Sequence, residues 1–99
     1  MNVQIQSLKF DAGQQLLEFI QKKMDRLDRF VDDRAGDVEV VLRLEPDSGK
    51  GNKVVVVSLR VPGGDIRVEE RAFTFEEAID NSMDIIKRQL EKAKAKFEK

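Results

Sequence analysis

A chain of 99 residues with a formal charge of −1 fits one domain with a thin core, and 40% hydrophobic with 37% charged residues is the composition of a folded protein rather than a disordered one. Having no Cys, it can hold no disulfide and no thiolate metal site; having no His, it lacks the commonest general base and the commonest transition-metal ligand. The opening "MNVQIQSLKF" has neither the basic start nor the continuous apolar run of a signal peptide, and no run of about 18 apolar residues follows, so a cytoplasmic protein with no membrane partner is expected.

"NVQIQ" alternates, with Val3 and Ile5 on one side and Asn2, Gln4 and Gln6 on the other, which predicts a half-buried strand. "DAGQQLLEFIQKKMDRLDRFVDD" predicts an amphipathic helix of about five turns, because Leu16, Leu17, Ile20, Met24, Leu27 and Val31 recur at three- and four-residue steps. Asp11 is placed to cap it, with Gln14 three residues later and Gly13 in the first turn. "DDRAGD" ends the helix, and Gly36 suits a left-handed turn.

"DVEVVLRLE" predicts a strand with Val38, Val40, Leu42 and Leu44 inward and Glu39, Val41, Arg43 and Glu45 outward. "PDSGKGN" reads as a mobile hairpin tip. "KVVVVSLRV" is the next strand, with Val55, Val57, Leu59 and Val61 inward. The tight connection "PGGD", Pro62 to Asp65, leads into "DIRVEERAF", with Ile66 and Val68 inward. The last element, "TFEEAIDNSMDIIKRQLEKAKAKFEK", is a helix with Thr74 and Glu77 as a capping box and an apolar line of Ile79, Met83, Ile86, Leu90, Ala93 and Phe97. Its acids precede its bases, in the order that the helix dipole favours. The expected fold class is α+β, in the order β-α-β-β-β-α: a four-stranded sheet with an antiparallel meander and both helices packed on one face, forming a single domain over residues 1–99.

These residues do not suggest an enzyme. Ser7, Ser48, Ser58 and Ser82 have no His to activate them, adjacent carboxylates such as Asp32–Asp33 and Glu69–Glu70 read as solvated surface, and "DSGKGN" lacks the spacing of a phosphate loop. No cofactor or small-molecule substrate is implied. The basic residues say more. Arg88, Lys92, Lys96 and Lys99 follow steps of four, four and three and so form one ridge, with Lys87 and Lys94 on another flank. Lys22, Lys23, Arg26 and Arg29 make the second half of the first helix basic, interrupted by Asp25 and Asp28. Such faces can be merely solvated, with lysines supporting the dipole; the functional alternative is a surface for phosphates, whose counterion release rewards several cations on one rigid ridge. All aromatic residues are Phe and no stacking pattern occupies a central strand, so bound RNA would be met through its shape and backbone.

The element order, "VVLRLE", "VPGGDI" and "AIDNSMDIIKRQLEKAKAK" together resemble the ribosome hibernation-promoting factors, also called ribosome-associated translation inhibitors or the sigma-54 modulation protein family. The resemblance covers nearly the whole chain. Its most specific part is Ala78-Ile79-Asp80, Asp84, Arg88-Gln89-Leu90, Lys92, Lys94 and Lys96, joined on the first helix by Leu16, Glu18-Phe19, Lys23 and Arg26-Leu27. It implies a fold like a double-stranded-RNA-binding domain and binding to the small ribosomal subunit, between head and body, where mRNA and tRNA would lie. It further implies arrest of translation in stationary phase or stress, with ribosomal RNA and adjacent ribosomal proteins as partners and a monomer off the ribosome. Carried over by position, it nominates Lys23, Arg26, Arg88, Lys92, Lys94 and Lys96 as RNA contacts; Lys22, Arg29 and Lys87 join them from the charge pattern. The chain departs from the family pattern at Ile85, where many members carry lysine, and at Glu76, where an aromatic is frequent. Long members carry a second, dimerising domain; a short form without it is expected here, leaning toward the type that promotes ribosome dimers.

Two other readings compete. The outward sheet face offers Val41, Val54 and Val56 among Arg43, Arg60, Arg67 and Arg71, an apolar centre with an arginine rim that would suit a protein partner. A free-standing double-stranded-RNA binder is the other, disfavoured by the acidic total.

Overall fold

The computed structural model describes residues 2–31, 36–46, 49–61 and 64–97, with side chains of the last helix as far as Lys92. Strand β1 (Val3–Ser7), helix α1 (Gln14–Phe30), strands β2 (Val38–Leu44), β3 (Lys53–Val61) and β4 (Gly64–Ala72), and helix α2 (Phe75–Phe97) follow in the expected order. The sheet order is β1-β2-β3-β4. β1 pairs in parallel with β2 across α1, and β2, β3 and β4 form the antiparallel meander.

Alternation puts Val38, Val40 and Leu42, Val55, Val57 and Leu59, and Ile66, Val68 and Ala72 on one face, all buried. Both helices cover that face: α2 lies over β3 and β4, and α1 lies beside α2 and against β1. The stripe of α1 contributes Ile20, Met24 and Leu27, and α2 contributes Phe75, Ala78, Ile79, Met83, Ile86 and Leu90. Cutting one of the fully buried Leu or Ile side chains back to Ala costs about 2–5 kcal/mol, so this single layer carries most of the stability. Leu17, on the flank of the stripe, and Leu44, on the last rung opposite Lys53, are exposed instead; Phe19 and Phe30 pack half-buried against the core. Ala93 and Phe97 lie outside the described side chains.

The two helix starts differ. At α2 the Thr74 hydroxyl accepts from the Glu77 N–H at 3.1 Å, as the capping box requires. At α1 Asp11 does not cap. The cap is Gly13, with no side-chain hydrogen bond, and Gln14 donates forward to Glu18 rather than back.

Glycine roles also shift from expectation. Gly36 has no left-handed φ; its N–H donates to the Arg60 carbonyl at 2.8 Å, extending the pairing of β2 with β3. The preceding residues of "DDRAGD", and Pro62 and Gly63 of "PGGD", lie outside the described residues. The loop read as a mobile tip is tied down at its far end. Gly51 is buried at φ +105, and a Cβ there would lie 2.1 Å from the Ala72 carbonyl oxygen. Arg71 donates to the carbonyls of both Pro46 and Gly51 and pairs with Glu45, clamping the two sides of the loop together.

The outer sheet face is not an open apolar patch. Val54 and Val56 are only 1% and 6% exposed. Val54 lies between Arg43 and Arg71 across the strands. Ion pairs run from Arg71 to Glu45, from Glu45 to Arg43 at 2.9 Å, from Arg43 to Glu69 at 3.1 Å and from Glu69 to Arg67 at 3.9 Å. Val56 lies between Val41 and Glu69, and the two valines expected at the centre of a protein-interaction face are buried within the chain rather than open to a partner.

Candidate nucleic-acid interface

β1, β2 and β4 point the same way, and each helix returns antiparallel to the strand before it. α1 and α2 therefore run side by side in one direction. Their contacts keep that phase. Lys23 meets Asp80, and one turn further along both helices Arg26 shares a cleft with Asp84 and Lys87. The consequence for charge is direct: the basic second halves of both helices arrive at the same end of the molecule.

On α1, Lys22, Arg26 and Arg29 are exposed and Lys23 is half-buried. On α2, Arg88 and Lys92 are exposed and Lys87 is half-buried within the cleft. Among the described residues, no ion pair engages Lys22, Arg26, Arg29, Lys87, Arg88 or Lys92. The side chains of Lys94 and Lys96 lie outside the described residues, as does Lys99; the backbone of α2 continues as helix through Lys94 and Lys96. Ile85 is half-buried and packs against the core, which suits an apolar residue better than a lysine.

The shared end is the negative end of two helix dipoles. Cations there are favoured, Arg29 in the last turn of α1 among them. Any anion must be attracted by side chains alone, since no helix N-terminus faces it. The groove between the helices, of about 240 Å³ beside Lys23, is lined by Lys23, Arg26, Asp80, Met83, Asp84 and Lys87. It is thus a mixed site, with cations from both helices and carboxylates from α2. The ridge of Arg88 and Lys92 continues backward, in steps of four, to Asp84 and Asp80, so one line of the helix changes sign halfway.

Charge reading of the sequence puts Asp80 and Asp84 in the acidic first half of the last helix; the packing places both in the groove, beside the cations of the first helix. The flank of the last helix on which the sequence reading puts Lys87, apart from the Arg88 ridge, is the one that meets Arg26. Among the described residues, no group of His, Cys, Asp and Glu is arranged to hold a metal ion, and no helix is long and apolar enough to cross a membrane.

Residues 3–98 match the family described as sigma 54 modulation protein / S30EA ribosomal protein. A relative from Deinococcus radiodurans, named ribosome hibernation promotion factor, is 33% identical over 97 residues, covering 97% of this chain and 50% of the relative. The chain therefore spans about half the length of that curated relative. Among solved structures, the N-terminal domain of Thermus thermophilus Protein Y is similar with a TM-score of 0.75 at 29% identity, over 93% of this chain and 98% of that one. A ribosomal subunit interface protein from Coxiella burnetii has a TM-score of 0.78 at 22% identity, over 96% and 99% of the two chains, and speaks to the fold alone.

Proposed function

This chain belongs to the sigma 54 modulation protein / S30EA ribosomal protein family, and from that premise we propose that it is a ribosome hibernation factor acting on the small ribosomal subunit. It occupies the channel of mRNA and tRNA under stress or in stationary phase and blocks translation by filling space. It is a monomer away from the ribosome and uses no cofactor. The observation that carries this reading is the common basic end of α1 and α2, where Arg26, Arg29, Lys87, Arg88 and Lys92 stand without carboxylate partners among the described residues.

Phosphates held at fixed spacing by an RNA fold are met by cations held at fixed spacing on two packed helices. The cations release counterions on contact, and the groove carboxylates lower affinity for RNA that does not fit. Lys94 and Lys96, nominated by the family resemblance, follow on the helical backbone of α2.

Co-sedimentation of the protein with purified small subunits through sucrose gradients tests the proposal. Binding at low salt that weakens steeply as salt rises is expected. Failure to bind vacant small subunits at low salt would sink it. The same gradients report whether whole ribosomes pair in its presence.

A further inference from the structure

The family resemblance nominates Lys23 as an RNA contact, and in the structure its ammonium has a partner within the chain. Its Nζ lies 2.8 Å from Asp80 Oδ1 on the other helix. The same ammonium sits 5.2 Å from the centroid of the Phe19 ring, within reach of a cation–π attraction. The Lys23 side chain is 25% exposed against 52% for Asp80, so the lysine is the more buried partner of the two. A phosphate approaching Lys23 would have to displace that carboxylate while passing Asp84 in the same groove.

We infer that Lys23 is a positioning residue: with Asp80 it forms a strut between the parallel helices that fixes the spacing of Arg26, Lys87, Arg88 and Lys92, which have no ion-pair partner among the described residues, and it takes no phosphate itself. The packing beneath makes such a strut useful. The groove floor includes Met83, an unbranched side chain that tolerates sliding of one helix along the other. A 2.8 Å contact between side chains on opposite walls does not tolerate it. Recognition of RNA by shape depends on the distance between cations on the two helices, so a constraint on that distance acts on binding without touching the ligand.

This inference rests on the small-subunit reading above, and its test separates the two. Lys23→Met keeps the stem over Phe19 and removes the charge; Asp80→Asn keeps the shape and removes the opposite charge; Lys23→Glu with Asp80→Lys restores the pair in reverse. Each is measured for small-subunit affinity over a range of salt. Each is also spin-labelled at Gln21→Cys and Gln89→Cys, both exposed, in a chain without other cysteines.

A strut predicts that both single variants weaken binding about two- to fivefold, with the slope of log affinity against log salt unchanged. Both should broaden the inter-label distance distribution of the free, folded protein, and the reversed pair should recover affinity and width together. The opposite results overturn the inference: tighter binding by Asp80→Asn, or a slope reduced in Lys23→Met by about 0.7–0.9, the share of one phosphate. So does a reversed pair that recovers the width and not the affinity, or an unchanged width in the single variants. If the unsubstituted protein binds no small subunits, the proposed function fails, and the label distances still decide whether the strut exists.

Discussion

On the outer face of the sheet, Arg43, Arg67 and Arg71 share Glu45 and Glu69 among them, while on the helices Arg26, Arg29, Lys87, Arg88 and Lys92 have no carboxylate partner among the described residues. The two regions draw on the same residue types and differ in geometry. Along a strand, residues two apart share a face, so Arg43 with Glu45, and Arg67 with Glu69, put opposite charges side by side. Along a helix, residues four apart share a ridge, so Arg88 and Lys92 put like charges together. What stands at that spacing decides whether a cation is neutralised within the chain, as Lys23 is by Asp80 across the groove, or left for a partner. On the sheet, Arg43 and Arg71 stand on either side of the buried Val54.

The sharpest way to break this contrast is to reverse charges on each face and compare. Arg88→Glu with Lys92→Glu is expected to weaken small-subunit binding about a hundredfold, near 2.7 kcal/mol, and to flatten the salt slope by roughly 1.5. Its unfolding free energy should move by less than about 0.5 kcal/mol, because both residues are exposed and have no ion-pair partner among the described residues. Filter binding and urea denaturation of the same preparation check both halves. An equal loss of binding from Arg67→Glu would show that the sheet face also meets RNA.

Arg71→Ala should do the reverse. It removes a pair with Glu45 and two bonds to the carbonyls of Pro46 and Gly51, in a side chain 28% exposed. A loss of about 2 kcal/mol in urea denaturation is expected, from charge-assisted hydrogen bonds in a partly screened setting. Binding by the folded fraction should be unaltered. Reduced affinity at full folding would tie the loop clamp to the RNA surface and dissolve the distinction between the faces.

The same geometry explains what could be read in advance. The element order and the helix-facing half of the sheet were legible, because one-sided burial imprints periods of two and 3.6 on the sequence. The burial of Val54 and Val56 was not, because their neighbours on that face, Arg43 and Arg71 beside Val54 and Val41 and Glu69 beside Val56, follow from cross-strand register, which is not written in local alternation. Gly51 was misjudged for a related reason: its constraint is the backbone of Ala72, twenty-one residues onward. At the site, the basic halves were legible as patterns on single helices. The groove was not, because it exists only once parallel packing brings Lys23 to Asp80 and Arg26 beside Lys87.

The smallest expected effect tests whether the sheet lattice is needed as charge or only as cover. Arg43 sits at its centre, bonded to Glu45 and Glu69, yet its Nε is buried with no hydrogen-bond partner. An orphaned buried donor is a cost, and it opposes the gain from two ion pairs whose arginine side is 33% exposed. Arg43→Met keeps an unbranched stem over Val54, removes the orphan and leaves Glu45 bonded to Arg71. The two changes nearly cancel, so a shift of less than about 1 kcal/mol in urea denaturation is expected. Arg43→Ala, which uncovers Val54, should cost more than Arg43→Met by the apolar area exposed. If the two variants lose stability equally, charge rather than cover is what the arginine supplies, and the sheet face stands closer to the helix face than its ion pairs suggest.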